Sequence, residues 1–156
     1  MIRYRLGLFA AAVLAFACSA QLDAGDKTKS ESKVKVTAEA SKIDKDGKQT
    51  VTITLAIEKG WHLYANPVNH DFLEGAQTRV KVAAKSKVSE VRVKYPAGKV
   101  HVEKTGNYDV YEGVVKIEVS LKRAAGDTAP LGISIDVQAC DSSVCLKEST
   151  IKLMAP

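Results

Sequence analysis

The sequence predicts an antiparallel β-sandwich, on three observations. From residue 33 onward, segment after segment alternates apolar and polar residues with a period of two, the mark of half-buried strands. These segments recur at roughly 8–12-residue spacing with turn residues between them. After residue 20 no stretch keeps a helical period over about ten residues. Eight or nine short strands are expected, in one domain over 32–156. Roughly 120 structured residues bury a core without needing several disulfides.

The strands follow in order. Val34, Val36 and Ala38 alternate with Lys33, Lys35 and Thr37. Asp44 to Lys48, with Gly47, is a turn signal. Val51, Ile53, Leu55 and Ile57 alternate with Thr52, Thr54 and Ala56. After Lys59-Gly60, Trp61 to Ala65 reads as a third strand. Trp61, Leu63 and Ala65 should face the core, with His62 and Tyr64 together on the opposite face. Residues 66–77 read as a loop. A strand over 78–84 should bury Val80 and Val82, and one over 88–94 should bury Val91 and Val93. Tyr95 to Lys99 breaks the pattern, and 100–107 is the least regular central segment. Tyr108 to Tyr111 fits a short strand and Glu112-Gly113 a turn or bulge. Val115, Ile117, Val119 and Leu121 mark a clear strand, and 123–130 a polar turn. Leu131, Ile133, Ile135 and Val137 lead into the cysteine segment, and residues 148–154 leave it with Ile151 and Leu153 inward.

The ends and the charge bound the compartment and the partners. Residues 1–20 combine a basic start (Arg3, Arg5), an apolar run and the small residues Cys18-Ser19-Ala20. That is a secretory signal pattern, too short for a comfortable membrane span. Lipoprotein processing at Cys18 is the alternative, against which Ala15-Phe16-Ala17 is a poor match. Residues 21–31 are polar and charged, a flexible leader. No other apolar run reaches transmembrane length, so no membrane span is expected after signal removal, and the periplasm or the exterior is the expected location. The formal charge is +5, and subtracting Arg3 and Arg5 leaves a mild +3. Without a dense basic run interleaved with aromatics, no nucleic-acid partner is expected. No oligomer interface is evident, and a monomer is expected.

Of three cysteines, Cys140 and Cys145 survive signal removal, an even number suited to one pair in an oxidising compartment. Five extended steps would separate them by roughly 16–18 Å, whereas a disulfide needs Cα atoms about 4.4–6.8 Å apart. The segment must therefore fold back, and Asp141-Ser142-Ser143 has turn-forming residue types. In the chain-entropy model so short a loop stabilises by only about 2 kcal/mol. The residues alone leave a structural staple and a redox group equally open. A redox role needs an accessible sulfur and control of the thiolate. His62 and Tyr64 could supply that control, although on the residues alone ordinary sandwich side chains are the favoured reading. His62, His70 and His101 are metal-ligand types but are scattered, with no ligand spacing, so no metal or other cofactor is expected. Ser142 and Ser143 sit in no nucleophile elbow, and no phosphate-binding glycine loop is present.

Two stretches carry a family resemblance: 60–67, Gly-Trp-His-Leu-Tyr-Ala-Asn-Pro, and 137–146, Val-Gln-Ala-Cys-Asp-Ser-Ser-Val-Cys-Leu. Between them lie Val93-Lys94-Tyr95-Pro96 and Tyr111-Glu112-Gly113-Val114. Together they resemble the N-terminal periplasmic domain family of the thiol:disulfide interchange protein DsbD, over about Lys33 to Leu153. The resemblance implies an immunoglobulin-like sandwich whose cysteine pair relays electrons. It implies that Cys145 forms the mixed disulfide and Cys140 resolves it, with His62 and Tyr64 flanking the pair. It further implies that 101–108 is a flexible cap loop over the disulfide. Lys147-Glu148 stands where the family has Pro-Pro, and 103–106 carries no shielding aromatic. Within these 156 residues, neither the membrane domain nor the thioredoxin domain of the whole transporter is expected. The expected partners are therefore thioredoxin-like periplasmic oxidoreductases and a separate membrane electron donor, the chain acting as a thiol-disulfide oxidoreductase-like relay. The alternative is a secreted immunoglobulin-like interaction domain with a purely structural disulfide.

Overall fold

A computed structural model describes residues 28–104 and 106–155. The expected signal peptide, Cys18 and most of the expected leader lie outside them. Among the described residues are eleven strands and two 3-10 turns. The strands are β1 (Val34–Ala40), β2 (Lys48–Ile57), β3 (His62–Tyr64), β4 (Arg79–Ala83), β5 (Ser89–Lys94), β6 (Lys99–Glu103), β7 (Gly106–Tyr111), β8 (Val114–Lys122), β9 (Leu131–Val137), β10 (Ala139–Cys140) and β11 (Ser149–Ala155). They pair antiparallel in three sheets, β1-β2-β8-β5, β11-β9-β4 and β10-β3-β7-β6. The last two are joined through Gln138, where β9 runs into β10.

The predicted alternation is what closes the sandwich. Val51, Ile53 and Leu55 of β2, Ile117 and Val119 of β8, and Ile133 and Ile135 of β9 share one core cluster with Leu63, Ala65 and Tyr111. The β1–β2 turn also forms as expected. Asp44 Oδ1 accepts from the N–H groups of Asp46 and Lys48 at 2.9 and 2.8 Å. Gly47 takes φ of +80°, and a Cβ there would meet the Arg123 carbonyl oxygen at 3.0 Å. The polar turn after β8 conceals a buried charge, since Arg123 is held by Gln49, the Ala129 carbonyl and Asp127.

The structure corrects four expectations. Val91 is 44% exposed rather than inward. The β5–β8 register shifts between Ser89 and Arg92, with Glu90 at φ of 53°. This irregularity changes the alternation, so Val88 and Val93 both pack on the core although an odd number of residues apart. The irregular segment and implied cap loop is instead a paired hairpin, with Lys99↔Val110 through Glu103↔Gly106 in register. It misleads because Val100 and Val102 face solvent while the half-exposed His101 takes the groove face and stacks on His62. The strands are more numerous than eight or nine because the third sheet adds β6, in the segment read as irregular, and the two-residue β10. Finally, the expected leader, 21–31, overlaps the domain at its end. Ser30 opens a 3-10 turn, Ser30–Lys33, and is fully buried.

Candidate functional site

The cysteine segment folds back as its spacing requires. β10 pairs with β3, Ala139 opposite Leu63 and Cys140 opposite His62. Cys140 and Cys145 then face each other as an antiparallel bridge, with Cα atoms 4.0 Å apart and a disulfide of 2.04 Å. Asp141 makes the turn. Its Oδ1 accepts from the N–H groups of Ser143 and Val144 at 2.7 and 2.8 Å, and its own N–H donates to the Val144 carbonyl at 2.9 Å. Those two N–H groups hold its carboxyl below the ordinary 3.8, helped by His62 and Lys33. The turn is therefore built on an ionised Asp141.

The two sulfurs have different surroundings. Cys140 is 2% exposed, packed with Tyr64, Val68, Tyr108 and Val110 in a second, smaller cluster. Cys145 stands in the exposed arm of the hairpin. The Tyr64 hydroxyl lies 3.6 Å from Cys140 Sγ and 3.7 Å from Cys145 Sγ. A disulfide has no S–H, so the hydroxyl is the donor. Burial, and then Glu103, raise the Tyr64 pKa, which keeps that proton in place.

The β6–β7 hairpin continues the same sheet beyond β3 and lines the groove beside the disulfide with rings. His101 stacks on His62 with centroids 5.6 Å apart and lies 5.0 Å from Tyr108. Tyr108 in turn meets Tyr64 edge-on at 5.6 Å. The Tyr108 hydroxyl donates to Glu103 Oε1 at 2.8 Å, and His101 Nε2 lies 3.5 Å from the same oxygen. Burial first, then the Glu103 bond, pushes the Tyr108 pKa up. From the loop after β3, His70 packs edge-on to Tyr108, and a Cβ at Gly106 would meet its Nε2 at 3.0 Å. The result is a groove of about 610 Å³ lined by His62, Tyr64, His70, His101, Tyr108 and Cys145, among others. His62 is buried there and its pKa is lowered, by desolvation first and by His101 second.

The structure thus brings all four expected site residues, Cys140, Cys145, His62 and Tyr64, to one place. His62 and Tyr64 share the face that alternation assigned them. The histidines described as scattered all line this groove, His62 stacked on His101 and His70 edge-on to Tyr108. No group of three or more His, Cys, Asp or Glu among the described residues is placed to hold a metal ion. Ser142 and Ser143 line the groove rim without a base beside them. The resemblance implied that 101–108 caps the pair; what sequence reasoning missed is that His101, Glu103 and Tyr108 stand on paired strands and line the groove with His62 and Tyr64. The available signal was His101 lying between Val100 and Val102, a period-two segment read as irregular.

An antiparallel sandwich that carries a disulfide on a strand-end hairpin, in a groove lined by aromatic rings, defines a class of cysteine-bearing immunoglobulin-like domains. Residues 29–154 match the family described as thiol:disulfide interchange protein DsbD, N-terminal, and the chain belongs to that family. Two solved structures share the fold. The N-terminal periplasmic domain of ScsB from Proteus mirabilis is 20% identical with a TM-score of 0.53, over 77% of this chain. The chain spans 44% of that protein's length. The DsbD N-terminal domain of Neisseria meningitidis in the reduced form is 17% identical with a TM-score of 0.50, over 80% of this chain and 84% of that one. No curated protein sequence matches the chain significantly.

Proposed function

We propose that this chain is a periplasmic thiol-disulfide exchange module acting through Cys140 and Cys145. The observation that carries the reading is the unequal exposure of the two sulfurs, one open to a partner and one buried behind it. A partner thiolate attacks Cys145 Sγ. The Cys140–Cys145 bond breaks and Cys140 leaves as a thiolate, beside the Tyr64 hydroxyl that can donate to it. A second partner thiolate then attacks the partner sulfur of the mixed disulfide and releases Cys145. Two electrons have passed to the pair, and the partner is oxidised. In the reverse direction Cys145 attacks a partner disulfide, and Cys140 then closes on Cys145 and frees the reduced partner. Thioredoxin-like oxidoreductases and a separate membrane electron donor are the proposed partners. Family membership supports the periplasmic location, and no described helix is long and apolar enough to cross a membrane.

The test is trapping together with a potential. Cys140→Ala should accumulate a mixed disulfide through Cys145 with a thioredoxin-like protein, and Cys145→Ala should form none. The wild-type pair should equilibrate with glutathione between about −120 and −270 mV. A pair below about −300 mV that exchanges slowly, with no trapped complex, would reduce the disulfide to a staple.

A further inference from the structure

The cysteine hairpin is not a simple continuation of the β9–β11 ladder. That ladder begins at Val137↔Ser149. From there Cys140 lies three residues on, but its partner Cys145 lies four residues back. The register slips by one at Gln138, Lys147 and Glu148, as in a β-bulge, and a bulge interrupts cross-strand hydrogen bonds. Below the slip, Leu146 N–H still reaches the Ala139 carbonyl at 2.8 Å. The Ala139 N–H and the Lys147 carbonyl instead both turn to Ser30.

Ser30 fills the gap from more than a hundred residues away. Its Oγ accepts the Ala139 N–H at 2.9 Å and donates to the Lys147 carbonyl at 2.8 Å. Its own N–H donates to the same carbonyl at 2.9 Å. Lys147 N–H donates to the Thr28 carbonyl at 3.2 Å, and Lys29 forms a parallel bridge with Lys147. One fully buried hydroxyl thus ties the residue before Cys140 to the second residue after Cys145.

We infer that Ser30 is a positioning residue for the disulfide, its hydroxyl clamping the two legs of the hairpin so that Cys140 stays beside Cys145 when their bond is open. The inference deepens the exchange reading and rests on it. While the disulfide is closed, the bond itself holds the legs. Once it is reduced, the clamp keeps the two thiols close and so raises the effective concentration of one for the other. Without the hydroxyl, the reduced hairpin relaxes and gives its Ala139 N–H to water, so the reduced state gains relative to the oxidised one. Ring closure then slows: the Cys140 thiolate attacks Cys145 Sγ less often, and the partner thiolate leaves later.

Ser30→Ala in the mature chain tests this, with Val119→Ala in the distant core as a stability-matched control. Two quantities are read: the equilibrium constant of the pair against glutathione, and the closure rate of a Cys145–glutathione mixed disulfide. Ser30→Ala should lower both roughly tenfold, the scale of one buried hydrogen bond. Val119→Ala should lower Tm and leave both unchanged. A Ser30→Ala protein with wild-type equilibrium and closure rate overturns the clamp, whatever its Tm. So does a Val119→Ala protein that shifts them equally. A wild-type pair that opens with dithiothreitol but not with glutathione removes the exchange reading instead. The Ser30→Ala equilibrium shift, read against dithiothreitol, then still decides the clamp.

Discussion

Between the sheets, Val51, Ile53, Leu55, Ile117, Val119 and Ile135 are wholly buried against other aliphatic side chains. On the outer face of β3 and β7, Tyr64, Tyr108, Val110 and Cys140 are nearly as buried, yet imidazoles and carboxylates surround them. The first cluster contains almost nothing that needs a hydrogen bond. The second carries imidazole and phenol groups at its edge, and among the described residues His62 Nε2 and His70 Nδ1 are buried with no protein hydrogen-bond partner. Burial therefore means different things in the two places. The core is covered on both sides by sheets. The outer cluster lies on one face of the β10-β3-β7-β6 sheet, with Leu73 and Ala76 of the loop after β3 packed against it. That puts the disulfide beside a mixed aromatic and polar cluster at an open groove, not inside the aliphatic core.

The comparison can be broken first from the core side. Leu55→Ala should lower the free energy of unfolding by about 2–5 kcal/mol and leave the exchange rate of the folded protein unchanged. Denaturant titration with thiol trapping reads both. Exchange that quickens in step with lost stability would mean the pair reacts through global unfolding, and the two regions would not be independent.

A smaller effect is expected at the aromatic wall of the groove. Tyr108→Ala removes the ring contacts to Tyr64 and His101, each on the order of 0.5–1.5 kcal/mol. Reduction by glutathione should quicken roughly two- to tenfold, with a smaller fall in Tm than Leu55→Ala causes. An unchanged rate would show that the Tyr108 ring does not limit attack on the disulfide.

The smallest effect is a pH dependence. The folded protein holds the His62 pKa below its ordinary 6.5, so below that pH the unfolded chain binds more protons than the folded one. Stability is then full above 6.5 and falls as pH drops through 6.5 toward the lowered value. His101 opposes His62 protonation, while Glu112, Glu103 and Asp141 favour it. Asp141 adds a separate loss at lower pH, below its ordinary 3.8. His62→Gln should flatten the first step and leave the second. Denaturation midpoints measured at about pH 7.5 and about pH 5 would show it, and equal slopes in both proteins would acquit His62.

How much was legible depended on whether the chain's periodicity was intact. The β1, β2, β8 and β9 alternations could be read directly, because period two survives wherever a strand is straight and one face is buried. It failed at β5, where the Ser89–Arg92 irregularity resets the alternation, and at β6, where valines face out and a histidine takes the groove face. The fold-back of Cys140 and Cys145 was legible because chain geometry allows no other way to bond them, and the pairing of His62 with Tyr64 because residues two apart share a face.

By itself, the sequence determined the sandwich class, the turn at Asp141 and the placing of His62 and Tyr64 side by side. Each follows from local rules of spacing and residue type. The tertiary structure decided which sulfur is open, that His62, His70 and His101 line one groove beside the disulfide, and that Ser30 closes the gap beside it. Those facts rest on contacts such as Ser30 to Ala139, 109 residues apart. Strand register, one-residue slips and the order of strands in the sheets set such contacts, and no local pattern encodes them.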